Sequence, residues 1–114
     1  MAERLLITGG SGFIGAEVVS LALSADYEVL NLDINSPRNE AHKPLWRKTD
    51  VRDAAAVAKQ VKDFDPHRVL HLASDIDVTI RTLKELQTTV EGTNNVLAAL
   101  PRARSLRNFV HTST

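Results

Sequence analysis

Short apolar runs alternate along this chain with longer stretches in which apolar residues recur every three or four positions. The short runs predict five strands, at residues 3–8, 27–32, 45–49, 68–73 and 106–113. The longer stretches predict three helices, at about residues 12–24, 54–64 and 83–100. Because strands that alternate with helices form parallel sheets covered on both faces, the pattern predicts an α/β, doubly wound fold in one domain, residues 1–114.

Individual residues mark the ends of two predicted helices. Asp53 is a suitable N-cap for the second helix, and Pro66 stops that helix. Pro101 ends the third helix, because proline interrupts helical hydrogen bonding. The predicted apolar face of the third helix consists of Leu86, Val90, Val96, Leu97 and Leu100.

The region between the second and third strands is expected to be irregular. Residues 34–40 are polar and include Pro37, which predicts a loop. The third strand is short and carries Arg47 and Lys48, so we expect it at an edge of the sheet. Trp46 is interpreted as a packing residue of that edge strand rather than as a stacking platform for a ligand.

A glycine-rich turn connects the first strand to the first helix. Gly9 allows a tight reversal, Gly12 leaves room for a diphosphate against the backbone, and Gly15 lets the helix pack closely on the strand. The unpaired N–H groups of the first helical turn then point at the phosphates. A glycine triplet alone is weak evidence, because loops without a ligand also contain this spacing.

Asp33 ends the second strand, close to the distance of about 20 residues expected for a carboxylate that binds a ribose. In open parallel sheets, ligands bind at the carboxyl ends of the strands, where the strand order reverses. Chemically suitable residues fall at five such ends, at positions 9–12, 33, 50, 73–74 and 112–114. This juxtaposition favours dinucleotide binding more strongly than the glycines alone.

Composition disfavours several other functions. The 114 residues include 14 basic and 14 acidic side chains, so a nucleic-acid binder that relies on a basic face is not expected. The absence of cysteine excludes disulfides and thiolate metal sites, and no metal-ligand spacing links the four histidines. No apolar run approaches the roughly 18 residues of a membrane span, and a strand begins almost at Met1. We therefore expect a cytoplasmic protein without membrane contact.

Three further segments complete a recognisable pattern. They are His71-Leu72-Ala73-Ser74, Gly92-Thr93-Asn94-Asn95-Val96-Leu97 and Phe109-Val110-His111-Thr112-Ser113-Thr114. With the Thr-Gly-x-x-Gly-x-x-Gly motif at residues 8–15, Asp33 and the pair Asp50-Val51, the chain resembles the extended short-chain dehydrogenase/reductase family. Members of that family are typically NAD-dependent sugar-nucleotide epimerases and dehydratases, with steroid dehydrogenase relatives. The resemblance covers essentially the whole chain and implies a Rossmann-type sheet, truncated after about five strands.

The resemblance implies a role for each matching position. NAD is the implied cofactor; NADP is disfavoured because Asp33 would repel its 2′-phosphate, although Arg38 nearby is able to pair with that phosphate. Thr114 is the implied catalytic hydroxyl, with Ser113 as the alternative if the register is off by one. No metal site is implied. The implied cofactor-binding residues are Gly9, Ser11, Gly12, Phe13, Ile14, Asp33, Asp50, Val51, Leu72, Ala73, Ser74 and Thr112.

Two departures from the family pattern qualify these roles. Thr89 stands where the family commonly has asparagine, so any role of that asparagine is in doubt here. The family's Tyr-x-x-x-Lys pair lies beyond its serine/threonine strand, and the only tyrosine of this sequence, Tyr27, is in the wrong element. We therefore expect the N-terminal fragment of a longer enzyme, without its catalytic base and substrate-binding part.

Several polar residues also have structural interpretations. Asp50 is interpreted as a contact to the adenine amino group, and the structural alternatives are a loop carboxylate or a helix cap. His71 and His111 are interpreted as packed structural residues, whereas His42 and His67 are expected to be exposed.

The expected function of the whole enzyme is hydride transfer to and from a tightly held NAD, on a sugar nucleotide or similar secondary alcohol. The fragment itself is expected to bind the adenosine half of NAD weakly and without turnover. The alternative is a non-catalytic module that senses NAD(P), while a P-loop or flavodoxin-like protein is disfavoured because Gly-Lys-Ser/Thr is absent. We also expect self-association through the open fifth strand.

Overall fold

The computed structural model describes residues 2–73 and 83–112. In this part of the chain the strands are β1 Arg4–Thr8, β2 Glu28–Asp33, β3 Trp46–Lys48, β4 Arg68–His71 and β5 Asn108–His111. The α-helices are α1 Phe13–Ser24, α2 Ala54–Phe64 and α3 Leu83–Ala99, and 3₁₀ helices span Glu40–Leu45 and Leu100–Arg102. All five predicted strands and all three predicted α-helices are therefore confirmed. The fourth strand ends at His71 rather than at residue 73.

The strands form one parallel sheet in the order β3-β2-β1-β4-β5. The chain runs outward from β1 to β2 and β3, and then crosses back to place β4 on the other side of β1. The strand order thus reverses between β1 and β4, and the carboxyl ends of all five strands meet at one rim. The short strand β3 lies at an edge of the sheet, as its basic residues predicted.

The two faces of the sheet bury separate cores. Adjacent strand residues point to opposite faces, so Leu6 and Ile7, both fully buried, belong to different cores. One core lies under α1 and contains Ile7, Val19, Ala22 and Val29. The other lies under α2 and α3 and contains Leu6, Leu30, Leu32, Val57, Val61, Val69, Val96, Ala99 and Ala103. Helices therefore cover both faces, which is the doubly wound arrangement.

The buried face of α3 differs from the predicted one. Val90 and Leu97 are 57% and 45% exposed, so their assignment to the apolar face is wrong. The helix instead packs through Gly92, Val96 and Ala99, which are spaced by four and three residues and are all buried. A glycine in this stripe lets α3 approach its neighbours closely, which turns the larger aliphatic side chains outward.

The second helix has the predicted boundaries. The Asp53 carboxylate accepts a hydrogen bond from Ala56 N–H at 3.1 Å, which confirms it as the N-cap. The helix ends at Phe64, and Asp65 follows with a left-handed φ of 49°. No helix in the part of the chain that the structure describes is long and apolar enough to cross a membrane.

The predicted loop after β2 contains an unpredicted 3₁₀ helix, Glu40–Leu45. It folds His42 against α1, where Nε2 lies 3.2 Å from the Ser20 hydroxyl and only 3% of the residue is exposed. His67 is partly buried, and its Nδ1 accepts a hydrogen bond from Arg4 N–H at 2.9 Å. The prediction that both histidines are exposed is therefore wrong, because contacts with residues far away in the sequence, Ser20 and Arg4, hold them against the protein.

Candidate functional site

The glycines of the motif, Gly9 and Gly12 in the turn after β1 and Gly15 in the first turn of α1, differ in what a side chain would meet there. Gly9 has a φ of +77°, and a Cβ there would lie 2.8 Å from the amide nitrogen of Ala73. A Cβ at Gly15 would overlap the carbonyl oxygen of Gly9, so α1 starts directly against the turn. A Cβ at Gly12 would meet nothing closer than 3.5 Å, so this position borders open space. The tight turn and the close helix packing predicted for Gly9 and Gly15 are confirmed.

Backbone amides of the turn donate hydrogen bonds to other groups of the protein. Gly9 N–H donates to the Leu32 carbonyl at 2.9 Å, and Gly12 N–H donates to the Gly9 carbonyl at 3.3 Å. Gly10 N–H donates to Oδ1 of Asn31 at 2.8 Å. These bonds fix the turn onto β2 and direct its donors away from the rim.

The donors that face the rim come from the first turn of α1. The helix starts at Phe13 with Gly12 as its N-cap, and no side chain of the described residues caps it. The first N–H groups of a helix have no partner within the helix, so the amides of Phe13 and Ile14 are suited to an external acceptor. Both side chains are exposed, at 91% and 69%. The helix dipole adds attraction for an anion at this position.

Asp33 joins the end of β2 to the glycine turn. Its Oδ2 accepts a hydrogen bond from Ser11 N–H at 3.0 Å, and its Oδ1 accepts one from Asn35 N–H at 2.9 Å. Each carboxylate oxygen retains acceptor capacity for a further donor, such as a hydroxyl. Trp46 of the edge strand donates from Nε1 to the Asp33 carbonyl at 2.8 Å, which supports its interpretation as a packing residue.

Asp50 is an ion-paired loop carboxylate in the structure. Its Oδ2 lies 2.7 Å from Nη2 of Arg52, and its Oδ1 accepts a hydrogen bond from Arg52 N–H at 2.9 Å. The side-chain hydrogen bond with Arg52 holds the pKa of Asp50 below its usual value. The structural alternative for Asp50 is thus present, and contact with an adenine stays a prediction.

The loop after β3 is attached to α3. A Cβ at Gly92 would lie 2.6 Å from Cγ2 of Val51, so the helix backbone rests on this valine. Asn95 Nδ2 donates to the carbonyl oxygens of Val51 and Arg52, each at 3.0 Å. The asparagine therefore holds residues 51–52 at the rim in a fixed conformation.

A buried hydroxyl and imidazole order the end of β4. Thr8 Oγ1 accepts hydrogen bonds from Leu72 N–H and Ala73 N–H, at 3.2 and 3.1 Å. Because both acceptor positions of this oxygen are then taken, we assign its proton to the hydrogen bond with Nδ1 of His71, 2.6 Å away. Nε2 of His71 consequently carries the ring proton and donates to Thr93 Oγ1 at 3.1 Å. This chain connects β1, the segment after β4, and α3.

His71 is held in its neutral form. The residue is fully buried, and burial, with a smaller repulsion from His111, lowers its pKa to about 4. The rings of the two histidines stack with centroids 5.1 Å apart. Both serve packing as predicted, although His111 is itself exposed.

The last described residue of the chain, Thr112, lies just beyond β5. Its N–H and its hydroxyl both donate to the His71 carbonyl, at 3.3 and 3.5 Å. It is thereby tied to the end of β4, at the same rim as the glycine turn. Ser74, Ser113 and Thr114 lie outside the described residues.

The structure brings together some of the predicted site residues by direct contact. The glycine turn touches Ala73 through Gly9 and Asp33 through Ser11. Asp50 and Val51 are held by Arg52 and α3 instead, and no hydrogen bond found among the described residues ties them to the glycine turn. The rim therefore combines an uncapped helix start, suited to an anion, with a carboxylate that is able to accept hydrogen bonds from hydroxyls, which suits a nucleotide. No group of three acidic or histidine side chains that could hold a metal is found in the described ranges.

Sequence reasoning missed two asparagines that shape the rim. Asn31 is a polar residue among Val29, Leu30 and Leu32 in the middle of β2, and that break in the apolar pattern is the available signal. The sequence presents Asn95 as part of the Gly-Thr-Asn-Asn segment, which does not indicate that it holds the loop after β3. Neither contact is readable from spacing, because each joins elements that are far apart in sequence.

Comparison with known proteins places this geometry in a family. Residues 5–114 match the model of the NAD dependent epimerase/dehydratase family. A probable dTDP-glucose 4,6-dehydratase of Sinorhizobium fredii is 35% identical over 106 residues, which cover 82% of this chain and 30% of that protein. The N-acetyl-alpha-D-glucosaminyl-diphospho-ditrans,octacis-undecaprenol 4-epimerase of Escherichia coli O157:H7 is 31% identical over 100% of this chain and 33% of its own length. The chain thus spans about a third of the length of these relatives.

Solved structures share the fold. The UDP-glucose 4-epimerase of Thermotoga maritima, crystallised with UDP-glucose, superposes with a TM-score of 0.85 at 25% identity, over 97% of this chain and 38% of that one. The UDP-glucose 4-epimerase of Thermus thermophilus, in complex with NAD, gives a TM-score of 0.72 at 29% identity, over 84% and 33% of the two chains. The architecture is therefore shared with a third or slightly more of the length of each of these enzymes.

Proposed function

The chain belongs to the NAD dependent epimerase/dehydratase family, and we propose that its rim binds the adenosine diphosphate half of NAD for an enzyme acting on a sugar nucleotide. The observation that carries the proposal is the hydrogen bond from Ser11 N–H to Asp33 Oδ2 at 3.0 Å. It closes the glycine turn onto the carboxylate, so that a phosphate site and a ribose site become neighbours.

The diphosphate is proposed to lie at the start of α1. The amides of Phe13 and Ile14 donate to it, and the open space beside Gly12 admits it to the backbone. The turn amides before Gly12 already donate hydrogen bonds within the protein, so their role is to fix the conformation of the turn. The residues present therefore fit a diphosphate without rearrangement of the turn.

The adenosine ribose is proposed to lie against Asp33. Its two hydroxyls donate to the carboxylate, whose oxygens each already accept one backbone N–H. A 2′-phosphate would face the negative charge of Asp33, so NAD is favoured over NADP. The adenine is proposed to rest near Asp50 and Val51, on the loop that α3 holds.

The nicotinamide half is proposed to extend past β4 and β5. Leu72, Ala73, Ser74 and Thr112 are proposed to contact it. Bound NAD supplies reversible hydride transfer, and the chain orients it. Thr114 is proposed as the hydroxyl that donates a hydrogen bond to the substrate oxygen.

The 114 residues by themselves are proposed to bind the cofactor without turnover. Their only tyrosine is Tyr27, at the amino end of β2, opposite the rim, so these residues hold no tyrosine placed to act as general acid for a substrate alcohol. Sugar nucleotides are the proposed substrates of the whole enzyme because the relatives above are named for them.

Self-association is proposed along β5. This strand ends the described sheet on one side, and Val110 on it is 50% exposed. Unpaired strand edges with apolar side chains tend to pair with another copy.

Chemical-shift mapping by NMR tests the binding site. Addition of NAD to the ¹⁵N-labelled chain should shift the amides of Phe13, Ile14, Asn35 and Ala73, while those of α2 stay in place. Adenosine should shift Asn35 and leave Phe13 and Ile14 almost unchanged, because it carries no phosphate. Shifts confined to residues away from the rim would contradict the proposal.

A further inference from the structure

Asn31 lies beneath the glycine turn and is only 1% exposed. Its Oδ1 accepts a hydrogen bond from Gly10 N–H at 2.8 Å, and its Nδ2 donates to the Ser11 hydroxyl at 3.0 Å. One side-chain amide therefore forms hydrogen bonds with two consecutive residues of the turn. We propose that Asn31 is a positioning residue for the diphosphate of the bound dinucleotide, acting through Gly10 and Ser11; this inference rests on the function proposed above.

The orientation of the amide sets the direction of the Ser11 hydroxyl. Gly10 N–H requires an oxygen acceptor, so the Nδ2 group of Asn31 must face Ser11. The Ser11 oxygen then accepts from Asn31, and its own proton is free for an acceptor on the outer side. Phosphate oxygens are such acceptors, so the serine is prepared as a donor to the diphosphate.

The contact is tight enough to control the position of the turn. A Cβ at Gly10 would lie 2.5 Å from Oδ1 and 2.6 Å from Cγ of Asn31. The backbone of the turn thus rests directly on the amide, and the turn cannot move down without displacing it. Ser11 N–H is held at the same time by Asp33. Two side chains of β2, Asn31 and Asp33, therefore hold the glycine turn in position.

The test compares a ligand with phosphates and a ligand without them. NAD and adenosine are titrated by NMR into the ¹⁵N-labelled wild-type chain and into the variants Ser11→Ala, Asn31→Asp and Asn31→Leu. Loss of one hydrogen bond to a charged group should weaken NAD binding about tenfold in each variant, and should change adenosine binding by less than about twofold. Asn31→Asp keeps an acceptor for Gly10 N–H, turns the Ser11 hydroxyl toward itself and adds a negative charge that disfavours a nearby phosphate. Ser11→Ala removes the hydroxyl without adding charge, so it isolates the contribution of that group.

A buried polar residue elsewhere provides the matched control. Thr49 is 5% exposed, and its hydroxyl donates to the Arg47 carbonyl within the edge region. Thr49→Val should leave the ratio of NAD to adenosine affinity unchanged, because Thr49 does not touch the turn.

The outcomes separate this inference from the proposed function. Equal losses for NAD and adenosine would reveal a purely structural role and overturn the inference, as would unchanged NAD affinity in Ser11→Ala and Asn31→Asp. These two variants decide the matter even if Asn31→Leu fails to fold. A wild-type chain that binds NAD no more tightly than adenosine would instead refute the proposed function, and the inference with it.

Discussion

The hydroxyl of Thr8 and Nδ1 of His71 lie 2.6 Å apart at the ends of two adjacent parallel strands. The contact needs a neutral imidazole, since Nδ1 accepts the threonine proton while Nε2 donates to Thr93. The end of β4, and with it Leu72 and Ala73, is held by this pair. The protonation of one buried histidine is therefore coupled to the shape of the rim.

Stability should consequently fall on mild acidification. The pKa of His71 is lowered from 6.5 to about 4 in the folded chain, so the unfolded state binds a proton first as the pH falls. The stabilisation is complete above about pH 6.5 and is lost progressively down to about pH 4, by about 3 kcal/mol in total. Urea unfolding at several pH values measures it.

A variant without the titrating group isolates this effect. The difference in unfolding free energy between wild type and His71→Gln should shrink as the pH falls from 6.5 to 4. His111→Gln is the comparison variant: it removes only the smaller cause of the low pKa of His71, so most of the pH dependence should remain. A difference that does not vary with pH would contradict the role assigned to His71.

Substitutions at two glycines of the turn should affect stability and NAD binding separately. Gly9→Ala introduces a Cβ at a φ of +77° and close to Ala73, so we expect a loss of about 1–3 kcal/mol in unfolding free energy. Gly12→Ala adds a methyl group beside open space and should cost below about 1 kcal/mol. The second variant should nevertheless weaken NAD binding, since its methyl group occupies the space proposed for the diphosphate.

Thermal unfolding and NAD titration of the Gly9→Ala and Gly12→Ala variants check the separation. Wild-type NAD affinity in Gly12→Ala would show that the diphosphate lies elsewhere. A Gly9→Ala variant as stable as wild type would mean that the turn is less constrained than its backbone geometry indicates.

Asn95 should contribute to the stability of the fold, whereas its neighbour Asn94 should not. Its amide donates to two carbonyl oxygens of the loop after β3, whereas Asn94 is exposed. Asn95→Leu should lower the unfolding free energy by about 1–2 kcal/mol, and Asn94→Leu should have almost no effect. Urea denaturation of the two variants measures the contrast. Equal effects would mean that the side chain does not hold the loop after β3.

Self-association should depend on β5 and not on α3. Sedimentation equilibrium of the chain is expected to reveal dimers at high concentration. Val110→Lys should shift the equilibrium to monomer, because a lysine on an open strand disfavours pairing with another copy. Val90→Lys is the matched control, as Val90 is similarly exposed but lies on α3. Monomers only, or dissociation by Val90→Lys alone, would refute an interface at β5.

Much of this architecture follows from periodicity and turn chemistry. The strand of Leu5, Leu6 and Ile7 and the glycines after it predicted the first unit of the fold, because these signals are local. The position of Asp33 at the rim could also be predicted, because Asp33 ends a strand and parallel strands place their carboxyl ends together.

What could not be predicted depends on contacts between distant segments. Val90 and Leu97 turn outward because Gly92 lets another face of α3 approach Val51, and the sequence does not state that preference. His42 is buried because a 3₁₀ helix brings it to Ser20. The support of the turn by Asn31 requires knowledge of which β2 residues lie under Gly10.

Calorimetric titration of NAD and NADP into wild type, Asp33→Asn and Asp33→Ala tests the central claim most directly. The asparagine keeps an acceptor for Ser11 N–H and removes the charge, while the alanine removes both. Wild type should prefer NAD by about tenfold or more, Asp33→Asn should narrow that preference, and Asp33→Ala should weaken NAD binding further. Equal affinity of wild type for both dinucleotides, unmoved by either substitution, would contradict a ribose site at Asp33 beside the glycine turn.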